Sequence, residues 1–192
     1  VSRWGSQRIA VGIDAQNGHV KTAGWVDDSG LDYLAFAKEM EALGAKHLIF
    51  TDIDTDGTLA GPAYSSLAAL QGAVGCRITA SGGVSSNADL VRLRDMGLYG
   101  AILGKALYTG DLDLAQAVAA VKEAEAKDRI ATVGIDSSQE AVQLMEQGVF
   151  KAFVVQKAFK MGYLGVKETI LHLEGKKEEK NIDSGCELIT PE

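Results

Sequence analysis

Short apolar runs alternate with longer amphipathic stretches along most of this chain. Seven apolar runs are predicted as strands, at residues 9–13, 47–52, 77–81, 100–104, 130–135, 152–156 and 186–190. Most are not interrupted by polar positions, which is typical of parallel strands that are buried on both faces. Six stretches with helical periodicity separate them, at residues 32–43, 64–71, 86–95, 113–126, 138–147 and 160–173.

Helix-ending and helix-starting residues agree with this pattern. A glycine, the usual left-handed helix cap, follows four of the helical stretches: Gly44, Gly97, Gly148 and Gly175. Ser137 and Glu140 have the spacing of a capping box. Repeated strand–helix units predict an α/β fold with a mainly parallel sheet and right-handed crossovers. Short turns between sequential units favour a curved, barrel-like order, and a doubly wound sheet is the alternative.

Composition narrows the class of partner. The chain has 192 residues, 46% of them hydrophobic, and a net charge of −7. This charge argues against nucleic acid and anionic membranes, although it leaves room for one small anion. No apolar run reaches the roughly 20 residues of a membrane span. Residues 1–7 lack the apolar core of a signal peptide, so we expect a cytosolic protein.

The two cysteines predict neither a disulfide bond nor a zinc site. Cys76 and Cys186 lie far apart in the sequence and have no neighbouring histidine. That arrangement is neither a disulfide framework nor a zinc motif. We therefore predict no metal and no cofactor.

Acidic residues follow the first two predicted strands. Asp14 closes the run Val11-Gly12-Ile13, where a carboxylate either acts as a general acid or base or caps the following segment. Asp52, Asp54 and Asp56 follow the second strand. They lack the glycine and distal glutamate of a calcium loop at the required positions. A polar loop that orients a substrate fits this segment better.

Glycines follow the next two strands, at a spacing of one strand–helix unit. The two segments are Ser81-Gly82-Gly83-Val84 and Leu103-Gly104-Lys105-Ala106. Glycine lets backbone N–H groups approach an anion closely, and the amino end of a following helix adds a favourable dipole. A phosphate bound after the last two strands recurs in phosphosugar barrels. We therefore favour phosphate binding over plain turns.

These motifs together resemble one enzyme family over about residues 1–120. The matching segments are 11–14, Gly24-Trp25, 50–53, 56–62, 80–84 and 104–108. In order and spacing they resemble the second half of the phosphoribosylformimino-aminoimidazole-carboxamide-ribotide (ProFAR) isomerases. Those enzymes are (βα)8 barrels of histidine biosynthesis that perform an Amadori rearrangement.

The resemblance implies roles for individual residues. It implies that Asp14 is the catalytic carboxylate and general acid, that Thr51 assists it, and that Asp56 belongs to the adjoining polar loop. It places the phosphate-binding turns at Gly82, Gly83, Gly104 and Lys105. The family's general base and its second phosphate site belong to the other half of the barrel, which this sequence does not match. An Amadori rearrangement needs an acid and a base on opposite sides of a ribose, so we expect the reaction to be missing or residual.

From about residue 130 the sequence resembles a different family. Segments 132–136, 140–148, 152–156, 161–163 and 171–175 are similar to the C-terminal lobe of periplasmic sugar-binding proteins. In that family Asp136 and Gln156 would bind sugar hydroxyls. We prefer structural roles for both, a helix cap for Asp136 and a polar strand end for Gln156.

The two resemblances predict three segments with one shared core. They are a half-barrel at residues 1–121, a junction at 122–129 and a lobe fragment at 130–192. Such a combination is typical of an engineered chimera. Three functions stay open: a scaffold that still binds phosphate or a sugar phosphate without efficient turnover, an aldose–ketose isomerase, and a small sugar-binding module. The uncovered inner face of a half-barrel also predicts a homodimer.

Overall fold

Strands and helices alternate along the chain in a computed structural model that describes residues 1–122, 131–136, 138–179 and 181–191. The chain divides into two compact units, Val1–Ala126 and Lys127–Glu192. The strands of the first unit are β1 (Ala10–Gln16), β2 (His19–Thr22), β3 (Asp27–Asp32), β4 (His47–Asp52), β5 (Arg77–Ser81) and β6 (Gly100–Ala101). Its helices are α1 (Tyr33–Ala42), α2 (Tyr64–Ala73), α3 (Asn87–Asp95), α4 (Lys105–Tyr108) and α5 (Leu114–Lys122). The second unit contains β7 (Val133–Ile135), α6 (Gln139–Glu146), β8 (Ala152–Gln156), α7 (Ala158–Leu173) and β9 (Cys186–Ile189).

One six-stranded sheet forms the frame of the first unit, in the order β3-β2-β1-β4-β5-β6. β1, β4, β5 and β6 are parallel and follow chain order. This is the sequential arrangement of a half-barrel that is open rather than closed, and it confirms the predicted mainly parallel α/β fold. A doubly wound sheet would reverse direction at a switch point, and these four strands show no reversal.

The antiparallel hairpin β2–β3 extends this sheet beyond β1 and was not predicted. β2 pairs with β1, and β3 pairs with β2, both antiparallel. Val20 is the only fully buried residue of these two strands. With one buried position and several aspartates, the segment lacks the apolar run that marks a buried strand.

Side chains alternate across the parallel strands, so one face of the sheet is buried. Ile13, Leu48, Phe50 and Ile78 are at most 2% exposed. They share a hydrophobic core with residues of four helices: Ala37, Leu67, Leu70, Leu90, Leu93 and Ala117. The positions between them face the opposite side, which is the inner face of the half-barrel.

The second unit has a three-stranded sheet in the order β7-β8-β9. β7 and β8 are parallel, and β9 is antiparallel to β8. Phe150 and Phe153 are buried, with ring centroids 4.4 Å apart. In the described part of the chain, no helix is long and apolar enough to cross a membrane.

Element boundaries match the pattern best where strands are buried. The predicted strands 47–52, 77–81 and 152–156 agree residue for residue with β4, β5 and β8. The predicted strand 100–104 is shorter, because β6 ends at Ala101 before the turn into α4. Residues 123–130, which include nearly all of the predicted junction, and Ser137 of the predicted capping box lie outside the described residues. α6 begins after Ser138, whose Oγ accepts the Ala141 amide hydrogen over 3.1 Å. The shared core of the two segments stays a prediction.

Candidate functional site

Three polar side chains stand in one row at the carboxyl ends of the parallel strands. Asp14 of β1 is paired with Thr51 of β4, and Thr51 is paired with Ser81 of β5. Paired positions on neighbouring strands point to the same face of a sheet. Thr51 is only 8% exposed. The fold therefore brings together Asp14 and Thr51, the two residues predicted to act on a substrate.

Trp25 lies beside Asp14 and was missed as a functional residue. Its indole Nε1 donates a hydrogen bond to Asp14 Oδ2 over 2.8 Å. Trp25 sits between β2 and β3 with a left-handed φ of +73°, and 43% of its surface is exposed. The Gly24-Trp25 motif belonged to the resemblance, but no local signal indicated that the hairpin folds back onto β1.

Hydrogen bonds within the loop after β4 hold its aspartates. The Asp52 carbonyl accepts from the amide of Asp56 over 3.0 Å, and Asp52 Oδ1 accepts from the amide of Asp54 over 3.1 Å. Gln16 Nε2, at the end of β1, donates to Asp54 Oδ1 over 2.8 Å. Among the described residues no group of three or more His, Cys, Asp or Glu side chains is placed to hold a metal ion. This loop is therefore shaped by its own polar groups.

A pocket of about 210 Å³ opens between the turns that follow β4, β5 and β6. Its lining is rich in glycine and backbone: Asp56, Gly57, Leu59, Ser81, Gly82, Gly83, Val84, Ile102, Gly104 and Lys105. All four residues predicted to bind phosphate are in this lining. Pockets for drug-sized ligands typically span about 300–1,000 Å³, so this one suits a smaller ligand.

Lys105 supplies the positive charge of the pocket, and Asp56 supplies a negative one. Lys105 Nζ donates to the Gly57 carbonyl over 2.7 Å, and no ion pair joins it to a carboxylate in the described part of the chain. Asp56 is exposed at the same pocket.

The glycines of the pocket have different physical roles. A Cβ at Gly83 would lie 2.3 Å from the Gly61 carbonyl oxygen, and one at Gly82 would lie 3.1 Å from the Asp52 carbonyl oxygen. These two glycines therefore let the loop after β4 pack on the turn after β5. A Cβ at Gly104 would meet nothing within 4 Å. Of the three, Gly104 is the glycine that leaves open space for a ligand.

Asp89 fills the amino end of α3. Its Oδ2 accepts from the amides of Ser85 and Ser86 over 3.0 and 2.9 Å, and its Oδ1 accepts from the Tyr64 hydroxyl over 2.6 Å. Burial acts to raise the pKa of Asp89, but these hydrogen bonds outweigh it and hold that pKa below its ordinary value. Burial, followed by the bond to Asp89, raises the pKa of Tyr64 to about 12.

This arrangement bears on the expectation that helix dipoles strengthen the anion site, because Asp89 places a carboxylate in the first turn of α3. The amides of Ser85 and Ser86, the two residues before α3, bond to Asp89, which is an anion of the chain itself. α4 follows Gly104 but has four residues, too few aligned peptide units for a large dipole. Lys105 is the cation among the residues that line this pocket.

Asp136 and Gln156 of the second unit are paired with each other. Gln156 Nε2 donates to Asp136 Oδ2 over 2.9 Å, and the Gln156 amide donates to Oδ1 over 3.3 Å. Asp136 does not cap α6, contrary to our expectation, because Ser138 does. Both side chains of the pair are exposed. The pairing uses the groups that would otherwise bind a sugar hydroxyl.

Two family models match this chain. Residues 1–113 match the model described as histidine biosynthesis protein. Residues 100–177 match the model described as periplasmic binding protein domain. The two matches overlap at residues 100–113, and they fit the two-part composition predicted from the sequence.

The curated relatives match the first part of the chain. The chain is 52% identical over 116 residues to the 1-(5-phosphoribosyl)-5-(5-phosphoribosylaminomethylideneamino)imidazole-4-carboxamide isomerase of Bacillus cereus (strain B4264), covering 60% of this chain and 48% of that protein. It is 55% identical over 107 residues to the isomerase of the same name from Listeria welshimeri, covering 56% of this chain and 45% of that protein. The chain thus spans about half the length of these relatives. The resemblance of its first part to these isomerases is confirmed.

Proposed function

This chain belongs to the histidine biosynthesis protein family, and on that premise we propose that its first unit binds the phosphate group of a sugar phosphate in the pocket between the turns after β4, β5 and β6. The observation that carries the proposal is Lys105, a cation without a carboxylate partner in the described residues, at a pocket lined by glycine turns. Turnover of the sugar phosphate is inefficient in this proposal.

Backbone amides add to the attraction of Lys105. The amide hydrogens of Gly83 and Gly104 form no hydrogen bond within the described part of the chain, and Gly83 is buried. Buried amides without an acceptor are rare in folded proteins. A phosphate oxygen would provide that acceptor, and hydrogen bonds to a charged group contribute about 1.5–3 kcal/mol each.

Isomerisation of an aldose to a ketose is the second candidate, and the names of the relatives favour it. We propose that Asp14 donates the proton, that the Trp25 indole orients its carboxylate, and that Thr51 contacts the same sugar. The reaction also needs a base on the far side of the ribose, and a positioned acid or base contributes about 10²–10⁴-fold to the rate. The row that contains Asp14 and Thr51 offers no second carboxylate, which is why we propose slow turnover.

We also propose that the chain joins segments of two unrelated families. Support comes from the second family model, which is described as periplasmic binding protein domain and matches residues 100–177. The division into two compact units near residue 126 is close to the point where the sequence changes character. In this proposal the second segment does not contribute to sugar-phosphate binding.

Thermal unfolding with and without a ligand tests phosphate binding. Inorganic phosphate or ribose 5-phosphate at a hundred times its dissociation constant should stabilise the parent chain by about 2.7 kcal/mol. Gly104→Asp places a carboxylate in the open space of the pocket and should abolish this shift. Gly104→Asn adds a neutral side chain of the same size and should keep more of the shift than Gly104→Asp, because it fills the space without repelling the phosphate. Both variants are expected to fold, because a Cβ at Gly104 meets nothing within 4 Å.

Two outcomes would contradict the proposal. A parent chain whose melting temperature does not respond to millimolar phosphate or ribose 5-phosphate has no working site. A Gly104→Asp variant that responds like the parent binds phosphate elsewhere. Conversion of the isomerase substrate that survives Asp14→Asn would exclude Asp14 as the acid.

Binding of a free sugar by the second unit is not favoured by the geometry. Asp136 and Gln156 already bond to each other, so a sugar must break that pair before it binds. We expect ribose, glucose and galactose to leave the melting temperature of the parent and of Gln156→Ala unchanged. A shift in the parent that is lost in Gln156→Ala would restore the sugar-binding hypothesis.

A further inference from the structure

Helix α7 carries an apolar surface that no described residue of the second unit covers. None of the 16 residues from Ala158 to Leu173 is buried. Five large apolar side chains recur along it at alternating spacings of four and three, and each is at least half exposed: Phe159, Tyr163, Val166, Ile170 and Leu173. This spacing places them on one side of the helix. We call these five residues the α7 stripe.

The sheet of the same unit has a second uncovered apolar surface. Ile135, Val154 and Leu188 are directly paired across β7, β8 and β9, so their side chains share one face. Ile135 is 75% exposed and Leu188 is 67% exposed. Val133, two residues before Ile135, lies on the same face and is also exposed. We call these four residues the open sheet face.

Both surfaces are too large to remain in water. Helices without tertiary packing are marginal at about this length, and contiguous exposed apolar patches of several hundred Å² mark interaction sites. Eight side chains of the two surfaces are at least half exposed. Together they form apolar surface of several hundred Å², toward the roughly 800 Å² that each partner buries in a standard stable interface.

We propose that a second copy of this chain covers both surfaces in a two-fold dimer, with the α7 stripe of each copy packed on the open sheet face of the other. One copy presents a helix that lacks a sheet and a sheet that lacks a helix. Helix on sheet is one of the layer pairings from which domains are built. A two-fold interface uses the same patch of both copies, so one exchange covers all four surfaces. The dimer lies in the second unit and does not depend on phosphate binding.

Sedimentation equilibrium of the full chain measures this dimer. Phe159→Glu in the α7 stripe and Ile135→Lys in the open sheet face should each raise the dimer dissociation constant at least about 100-fold, because each leaves an unpaired charge in both contacts. Gln143→Glu, on the exposed side of α6, also adds one negative charge and should leave the constant unchanged. Circular dichroism checks that all three variants keep their helices.

A mixture of Phe159→Glu and Ile135→Lys distinguishes helix-on-sheet packing from helix-on-helix packing. A mixed pair keeps one of its two stripe-on-sheet contacts free of substitution, whereas either variant paired with itself keeps none. The mixture should therefore dimerise more tightly than either variant alone. The proposed packing would be overturned if the mixture had the same dimer dissociation constant as either variant alone. It would also be overturned if the Ile135→Lys variant dimerised like the parent.

Cys186 reports whether the open sheet face is covered. It lies two residues from Leu188 on β9, on the same face, and it is exposed in a single copy. In the dimer its reaction with a thiol reagent should slow as the protein concentration rises. Protection that does not change with concentration would mean that one copy covers its own face, and a parent chain that is monomeric throughout would refute the dimer.

Discussion

Replacement of Gly83 by alanine tests whether backbone contact holds two sides of the pocket together. The added Cβ would lie 2.3 Å from the Gly61 carbonyl oxygen and 2.8 Å from its carbon. Neither is a side-chain atom that can rotate away. Gly83 has a φ of +77°, and its carbonyl accepts the Gly61 amide hydrogen over 3.0 Å. Alanine must therefore push the loop after β4 away from the turn after β5.

The expected loss follows from three destabilising effects and one that partly offsets them. A left-handed backbone costs a residue with a Cβ about 1–2 kcal/mol, and a lost hydrogen bond costs about 0.5–1.5 kcal/mol. Overpacking at a tight contact adds about 1–3 kcal/mol. Alanine also lowers the conformational entropy of the unfolded chain, and this stabilises the folded state by about 0.4–1 kcal/mol. We expect Gly83→Ala to lose about 3 kcal/mol of unfolding free energy.

Gly104→Ala is the matched control, because its Cβ meets nothing within 4 Å. It should change the unfolding free energy by less than about 1 kcal/mol. Urea unfolding followed by tryptophan fluorescence measures both variants. The chain has two tryptophans, Trp4 and Trp25, and both lie in the first unit. A Gly83→Ala variant as stable as Gly104→Ala would refute the close backbone contact.

Further predictions concern the capping groups and the cation. The pKa of Asp89 is lower in the folded chain than in the unfolded one, so its stabilisation is present above about pH 4 and is lost as the pH falls through the folded pKa. Asp89→Asn should therefore cost about 1–2 kcal/mol at pH 7 and weaken the acid dependence of urea unfolding, and an unchanged pH profile would contradict this. Tyr64→Phe should remove the tyrosine that ionises near pH 12 from a spectrophotometric titration, and the prediction fails if that step remains. Lys105→Met should keep the parent fold by circular dichroism but lose the melting shift with phosphate, and a retained shift would remove Lys105 from the site. Asp32→Ala should cost about 1 kcal/mol, because Asp32 Oδ1 accepts the Ala35 amide hydrogen at the start of α1, and equal stability would show that this cap contributes nothing.

Buried parallel strands were the part of the fold that the sequence predicted best. β4 and β8 agree with the pattern residue for residue, because both are short apolar runs that end at polar residues. The hairpin β2–β3 and the direction of β9 were not predicted. Both are edge features with few buried positions, and their pairing is set by distant backbone groups rather than by local pattern.

The sequence predicted which residues line the candidate site, but it did not predict the contacts between them. The glycines after β5 and β6 and Lys105 do line one pocket. The tight approach of Gly83 to Gly61 and the bond from Trp25 to Asp14 join residues far apart in sequence, so no local motif shows them. The sequence did not single out Asp89 as the carboxylate that caps α3. A carboxylate that caps a helix looks the same in a sequence as one that binds a ligand.

The strand pairing of the first unit has a consequence for local opening of the sheet. Ala10 pairs with His47, His47 with Arg77, and Thr79 with Gly100, so the parallel strands lie side by side in chain order. β6, with two residues, forms the shortest and last of these pairings. Lys105, directly after it, reaches back to Gly57 in the loop after β4. In the proposed complex, a phosphate held by both turns therefore binds only while β6 is paired, and it opposes opening of that edge.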